Sequence, residues 1–158
     1  MKIKIVSGGQ TGVDRAALDA AIVGGLSYGG IIPKGRLAED GKVPEKYKLT
    51  ESDNPTYEYR TEQNVIHSDA TLILGYLPMT GGTHLTNEFC HKHSKPHLFI
   101  DLKQPHPEQK ILEWIKMIKP HILNIAGPRE SKQPGIYKIT RNLLETIFNK
   151  FLKYLTDS

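Results

Sequence analysis

The sequence contains little cysteine, few aromatic residues and no long apolar run. Its one cysteine, Cys90, excludes an internal disulfide and any metal site made of several thiolates. No apolar stretch approaches the ~20 residues that a membrane-spanning helix needs. The apolar part of residues 1–9 is too short for a secretory signal peptide. We therefore expect a cytoplasmic protein that does not span a membrane.

The excess of positive charge is small and lies toward the C-terminal end. The formal net charge is +4, and from residue 103 onward ten Lys and Arg stand against five Asp and Glu. This excess favours anionic partners in general, without indicating nucleic acid in particular. Because 158 residues are enough for one well-covered core, we expect residues 1–158 to form a single domain.

Short apolar strands alternate with helical patterns along the chain. Strands are predicted near residues 2–7, 28–32, 70–75, 96–101 and 121–127. Helices are predicted near residues 12–24, 60–67, 83–95, 106–119 and 135–155. Residues 34–59 have no sustained period and many breakers, which is typical of a functional or partly mobile loop. The alternation predicts a Rossmann-like, doubly wound, mainly parallel sheet in a three-layer α/β/α arrangement.

Two glycine turns follow predicted strands and lead into helices. In such folds ligands bind beyond the carboxyl ends of the strands, where the strand order reverses. The first turn, SGGQTG at residues 7–12, lacks the Lys-Ser/Thr pair of nucleotide-hydrolase loops and is not G-x-G-x-x-G. Lys34 and Arg36 also stand where a dinucleotide enzyme would have an acidic residue, so NAD is disfavoured. We expect main-chain N–H groups at this helix N-terminus to bind an anion.

The second turn, TGGTHLT at residues 80–86, repeats the arrangement of glycines, a hydroxyl residue and a helix start. Two such turns at one sheet edge could hold one phosphorylated ligand from both sides. Either turn taken alone could also be no more than a tight corner in the chain. Asp101, at the end of a predicted strand, is a candidate for a ribose or base contact.

Other polar residues leave ligand binding and a structural role open. Arg60, Asn64 and Arg129 lie beside strand ends, where they could contact a ligand or serve turn and surface chemistry. The histidines around Cys90 in HLTNEFCHKHSKPH lack the i, i+4 spacing of zinc-binding helices, so a metal site is disfavoured.

Five ordered motifs together resemble the molybdenum carrier family. They are SGGQTGVDRAALDAA, PKGRLAEDG, RTEQNVIHSDATLIL, TGGTHLT and NIAGPRESKQPGI. That family is related to the lysine-decarboxylase-like, cytokinin-activating phosphoribohydrolases and to DNA-processing protein A. The resemblance implies a cytoplasmic homo-oligomer (dimer or tetramer) that binds or carries a phosphorylated, nucleotide- or pterin-like ligand, such as molybdenum cofactor (molybdopterin).

The candidate ligand-binding residues come from the motifs and from the strand ends. They are Gly8, Gly9, Gln10, Thr11, Gly12, Asp14, Arg15, Lys34, Arg36, Arg60, Asn64, Thr80, Gly81, Gly82, Thr83, Thr86, Asp101 and Arg129.

The sequence departs from the related phosphoribohydrolases at their catalytic position. Those enzymes carry a glutamate three residues after the threonine of their second turn, and this chain has Thr86 there. A hydroxyl cannot replace the carboxylate in hydrolysis of an N-glycosidic bond, so the sequence favours ligand binding without turnover. A nucleoside-monophosphate phosphoribohydrolase using Glu88 or an acid of residues 34–59 is the first alternative. Single-stranded nucleic-acid binding is the second, but Trp114, Tyr137 and Tyr154 sit at helical positions rather than on a stacking platform.

Overall fold

The computed structural model describes residues 2–156, in which strands and helices alternate. The strands are β1 Lys4–Val6, β2 Ser27–Gly29, β3 Ile31–Ile32, β4 Leu37–Ala38, β5 Gly41–Lys42, β6 Thr50–Glu51, β7 Ala70–Gly75, β8 His97–Asp101 and β9 Ile122–Ala126. The helices are α1 Val13–Val23, α2 Tyr57–Ile66, α3 Gly81–Lys92, α4 Pro107–Ile118 and α5 Ile136–Thr156.

Five parallel strands form the main sheet in the order β2-β1-β9-β7-β8. All six residues of β7 are buried because this strand has neighbours on both sides and helices on both faces. The chain leaves β1 for β2 at one edge and later enters β7 on the other side of β9. The strand order therefore reverses around β1, β9 and β7, and their carboxyl ends meet at the place where such folds bind ligands.

Helices cover both faces of the sheet. The larger core joins sheet residues to one side of α1, α4 and α5, and α1 packs closely on α5 through its small alanines. On the other face α2 packs against α3 around Val65, Phe89 and Cys90. The predicted three-layer α/β/α fold with a mainly parallel sheet is confirmed.

The strand predicted near residues 28–32 is divided in two. Its first part is β2 of the main sheet, whereas β3 pairs with β6 in a separate two-stranded sheet. The break falls at Gly30, which has a φ of 135° and lies so close to β1 that a Cβ there would stand 1.9 Å from the Ser7 carbonyl oxygen. Only glycine fits this position, because both the positive φ and the close contact exclude a side chain.

Residues 33–56, called the excursion below, are fixed to α1 by polar contacts. Asp40 forms two hydrogen bonds with Arg15, at 2.8 and 2.9 Å, and the Tyr47 hydroxyl donates to Asp19 at 2.6 Å. A small second core, which includes Leu18 of α1 and Tyr47, lies underneath. The excursion ends where Thr56 caps α2, so the irregular segment is shorter than the predicted 34–59.

Gly127, directly after β9, offers a test of how tightly the sheet edge is packed. A Cβ at Gly127 would lie 2.2 Å from the Leu74 carbonyl oxygen and 2.6 Å from Cγ2 of Val13. We expect Gly127→Ala to lower the free energy of unfolding by about 3 kcal/mol in urea unfolding, because neither neighbour can move aside easily. The control is Gly25→Ala, where a Cβ meets nothing within 4 Å and only the positive φ is strained. Equal losses in the two variants would contradict this reading of the packing.

Candidate functional site

A cavity of about 370 Å³ opens at the carboxyl edge of the sheet, where the strand order reverses. The loops that follow β1, β7 and β9 form its walls, together with α2 and the first turn of α3. Its volume is in the range of small-molecule sites. The lining residues are Gly8, Gln10, Asp14, Tyr57, Glu58, Arg60, Thr61, Asn64, Tyr76, Pro78, Met79, Thr80, Gly81, Gly82, Thr83, Leu85, Thr86, Asn124, Ala126, Gly127, Pro128, Arg129, Lys132 and Gln133.

The N-terminus of α3 borders the cavity and has no cap. Thr80 has the extended conformation of an N-cap residue, with φ −134° and ψ 165°, but its side chain accepts no hydrogen bond. The first turn of α3 contains no acidic residue, and Gly81 and Gly82 bring no side chain over their amides. Such a helix end carries partial positive charge and free N–H donors, which is the local requirement for binding an anion.

Basic side chains increase the positive charge at this end of the cavity. The Lys132 ammonium lies 3.4 Å from the position that a Cβ on Gly81 would take, so it sits at the N-terminus of α3. Within residues 2–156 no acidic side chain pairs with Lys132. Arg129 lines the cavity nearby, with its Nε atom 3.4 Å from Glu39. A cation beside a helix N-terminus is unfavourable by itself, and an anion between them would remove the conflict.

Three main-chain N–H groups at the first glycine turn already have acceptors within the chain. The N–H of Gln10 donates to Oδ2 of Asp14 at 3.2 Å, that of Thr11 to Oε1 of Gln10 at 3.1 Å and that of Val13 to the Pro128 carbonyl at 3.2 Å. Fewer amides are therefore left for an anion than the glycine pattern suggests, and anion binding at this turn is still a prediction. Asp14, the acid in the first turn of α1, takes up one of these three N–H groups.

Glycine at position 12 serves packing. Gly12 has a φ of 79°, and a Cβ on it would lie 2.3 Å from the carbonyl oxygen of Pro128. The main chain of the turn after β1 therefore packs directly against the main chain of the loop after β9.

A buried ion pair lines the cavity between the first turn and α2. Arg60 and Asp14 are 6% and 7% exposed, with Nη1 of Arg60 3.9 Å from Oδ2 of Asp14. Arg60 also donates to the Gly8 carbonyl, and its guanidinium lies 5.3 Å from the centre of the Tyr57 ring. Burial raises the pKa of Asp14 to about 6 although Arg60 opposes the shift, and burial lowers the pKa of Arg60.

Thr86 and Glu88 differ in their relation to the cavity. Thr86 lines it and is buried, and its hydroxyl donates to the Gly82 carbonyl at 2.9 Å. Glu88 is exposed, lies outside the lining and pairs with His84 at 3.8 Å. The acids that line the cavity are Asp14 and Glu58. For the phosphoribohydrolase alternative, Glu88 is therefore away from the cavity, whereas Glu58, within residues 34–59, lies at it.

The structure brings many of the candidate residues to this one cavity. Those in its lining are Gly8, Gln10, Asp14, Arg60, Asn64, Thr80, Gly81, Gly82, Thr83, Thr86 and Arg129. Those outside the lining are Gly9, Thr11, Gly12, Arg15, Lys34, Arg36 and Asp101. Ligand contact by any of these residues is still a prediction.

Several of the outlying residues have structural partners. Arg36 donates to the carbonyls of Val43, Pro44 and Tyr47 at 2.8 to 3.0 Å and so shapes the excursion. Asp101 accepts from the main-chain N–H of Lys103 at 3.0 Å, in the turn that follows the edge strand β8. Asn64 lines the cavity, but its side-chain amide is bonded to the main chain of Ile31. Its Oδ1 accepts from the Ile31 N–H at 2.8 Å, and its Nδ2 donates to the Ile31 carbonyl at 2.9 Å.

The lining also contains residues outside the candidate set, among them Tyr57, Tyr76, Asn124, Lys132 and Gln133. Lys132 and Gln133 follow Arg129 in the loop after β9, so extending that prediction along its loop would have found them. Asn124 is the first residue of the motif NIAGPRESKQPGI, but it lies inside a strand and nothing else in the sequence marks it.

Two other features bear on the alternatives. No helix within residues 2–156 has the length and apolarity needed to cross a membrane, and those residues contain no group of three His, Cys, Asp or Glu placed to hold a metal ion. Trp114 is buried, so its ring is not a free stacking surface for nucleic acid. Tyr137 is half-buried, with the Arg141 guanidinium 5.9 Å from the centre of its ring. The Tyr154 side chain lies outside the described part of the chain.

The comparisons with known proteins define the family. Residues 5–148 match the model of the circularly permuted YpsA SLOG family, and the chain belongs to that family. A crystal structure from Syntrophus aciditrophicus SB, titled as a putative molybdenum carrier protein, is 47% identical with a TM-score of 0.87. The match covers 92% of this chain and 94% of that one. The resemblance stated from the motifs is thereby confirmed, and a comparison with curated proteins found no match.

The raised pKa of Asp14 leads to a prediction about pH and stability. Because the folded protein holds the Asp14 proton more tightly than the unfolded chain, the free energy of unfolding falls as pH rises from about 4 to about 6. Relative to Asp14→Asn, which does not titrate, the wild type should lose about 2 kcal/mol between pH 4.5 and 7.5. Urea unfolding of both proteins at the two pH values measures this difference. A constant difference between the two proteins would contradict the raised pKa.

Proposed function

We propose that this protein binds and carries a phosphorylated small molecule of nucleotide-like or pterin-like structure, without chemical turnover. The observation that carries the proposal is the uncapped N-terminus of α3, which faces the cavity beside Lys132. Phosphate is a ligand group that binds at such helix ends and beside an ammonium. The family relationship and the name of the similar structure support a carrier of this kind.

The rest of the cavity suits an aromatic heterocycle. Tyr57 and Tyr76 supply ring surface, and Met79 and Leu85 supply apolar contact. At the wall formed by the first turn, Asp14 has one carboxylate oxygen engaged by the Gln10 amide, which leaves the other for a ring N–H. A planar ring with N–H donors and a phosphate therefore finds partners for both of its ends.

Molybdenum cofactor is the particular ligand that the similar structure suggests. Its phosphate would bind at α3 with Lys132 and Arg129, and its pterin ring would lie toward Asp14 and the tyrosines. The lining contains no cysteine or histidine, and Cys90 is buried between α2 and α3. The chain would therefore hold the cofactor by phosphate and ring, and not by ligating the metal.

Thr86 supports binding without turnover. It occupies the position of the catalytic glutamate in the related phosphoribohydrolases, and its hydroxyl donates a hydrogen bond to the Gly82 carbonyl. The expected homo-oligomer and the cytoplasmic location stay predictions that accompany this proposal.

Thermal unfolding tests the proposal directly. We expect at least one of nucleoside monophosphates, nucleoside diphosphates and molybdopterin to raise the melting temperature, since a ligand that binds only the folded state stabilises it. Mass spectrometry of the protein as purified should identify a phosphorylated molecule. Molybdate alone serves as a control for binding of the oxyanion without the organic part. If no phosphorylated ligand shifts the melting temperature, the proposal fails.

A pair of substitutions at Gly82 separates anion binding from stability. A Cβ on Gly82 meets nothing within 4 Å, so both alanine and aspartate fit there. Gly82→Ala should raise the free energy of unfolding by up to about 1 kcal/mol, through helix propensity. Gly82→Asp should be at least as stable, because its carboxylate lies at the helix N-terminus near Lys132.

The two Gly82 variants should differ in ligand binding. Gly82→Asp places an anion where the phosphate would bind, and we expect it to abolish the ligand-induced shift in melting temperature. Gly82→Ala should retain most of the shift. A shift of wild-type size in Gly82→Asp would show that the anion binds elsewhere.

A further inference from the structure

The loop after β9, residues 127–135, supplies the basic side chains Arg129 and Lys132 of the cavity lining. Its residues Arg129, Lys132 and Gln133 line the cavity, and it contains no helix or strand. A loop of this kind positions charged side chains only if other parts of the chain hold it. The contacts that hold it come mainly from two glutamates, one outside the loop and one within it.

Glu39, in the excursion, reaches the middle of this loop. Its carboxylate accepts from the Ser131 main-chain N–H at 3.2 Å, from the Ser131 hydroxyl and from the Thr11 hydroxyl. Its Oε2 atom also lies 3.4 Å from Nε of Arg129. The side chain of Glu39 is 18% exposed and does not line the cavity.

The state of the Glu39 carboxylate follows from these contacts. Burial opposes the negative charge, but the hydrogen bonds from Ser131 and Thr11 outweigh burial and lower the pKa of Glu39. The carboxylate is therefore ionised at neutral pH. It fills an anion site built by two hydroxyls, an amide and a guanidinium, at the back of the cavity wall.

Further hydrogen bonds connect the surroundings of Glu39 to the first turn and to the start of α5. The Thr11 hydroxyl oxygen accepts from the Glu130 N–H at 3.2 Å, and the Glu39 N–H donates to Oε1 of Gln10 at 2.8 Å. Glu130 in turn accepts from the N–H groups of Gly135 and Tyr137, at 2.7 and 2.9 Å, where α5 begins. The excursion, the first turn and the loop after β9 are thus joined through Glu39.

We propose that Glu39 is a positioning residue for ligand binding, which holds Arg129 and Lys132 at the cavity through its contacts with Ser131, Arg129 and Thr11. This inference rests on the proposed function, since it concerns the same cavity. Glu39 touches no ligand in this account. Glu39 affects affinity indirectly, by fixing the position of the loop after β9. A residue 92 positions before Ser131 in the sequence therefore sets the positions of Arg129 and Lys132 at the cavity.

The test uses the variants Glu39→Ala and Glu39→Gln, with Asp40→Asn as the matched control. Asp40 is the next residue of the excursion. Like the Glu39 variants, Asp40→Asn removes one negative charge and one ion pair, in this case the pair with Arg15. Neither Asp40 nor Arg15 lines the cavity. Removing either acid should by itself favour anion binding slightly, so any loss of affinity specific to Glu39 reflects positioning.

Two measurements are made on the full chain. Isothermal titration with inorganic pyrophosphate and with guanosine monophosphate gives the affinity, and hydrogen exchange of the unliganded protein gives the protection of residues 127–135. We expect Glu39→Ala to weaken binding about tenfold and to speed exchange at Glu130 and Ser131. Glu39→Gln, which keeps an acceptor oxygen, should be intermediate. Asp40→Asn should match the wild type in hydrogen exchange and bind at least as tightly.

The outcomes separate this inference from the proposed function. If the wild type binds neither probe nor any other phosphorylated ligand, the proposed function fails, while hydrogen exchange still shows whether Glu39 holds the loop. Equal exchange in the wild type and both Glu39 variants overturns the positioning role. Faster exchange with unchanged affinity for a probe that the wild type binds also overturns it, since Arg129 and Lys132 would then not depend on Glu39.

Discussion

Main-chain packing at the carboxyl edge of the sheet is the constraint on which the site depends. The turn after β1 lies against the loop after β9, with the Val13 N–H bound to the Pro128 carbonyl at 3.2 Å and no room for a side chain on Gly12. Gly127 makes a similar approach to the Leu74 carbonyl at the end of β7. Three strand ends are thereby brought together without intervening side chains, and the cavity opens directly beyond them.

The charges around the cavity are arranged unevenly. At the first turn, acids and amides satisfy one another, as with Asp14 and the Gln10 amide, or Glu39 with Ser131 and Thr11. At α3 the helix end and Lys132 present only positive charge. Uncompensated charge of one sign costs stability, and its presence at a cavity is typical of a site that a ligand completes.

Much of the fold could be predicted from sequence, because it depends on local patterns. The apolar run of β7 and the amphipathic period of α4 are both recognisable in the sequence, and both elements lie close to the predicted bounds. The division at Gly30 could not be predicted, since it results from the approach of Ser7 in space. Likewise the position of Arg36 depends on main-chain carbonyls that come near it only after the excursion folds.

The two glycine turns show which part of a site the sequence can reveal. Both have glycines before a helix, and by that pattern alone they were expected to act alike. The difference between them lies one step further along the chain, where α1 has Asp14 in its first turn and α3 has no acid in its own. Asp14 accepts the Gln10 N–H, whereas the first turn of α3 has no acid that could accept an N–H group. The first helical turn, and not only the glycines before it, therefore affects how many main-chain N–H groups a glycine turn leaves without an acceptor.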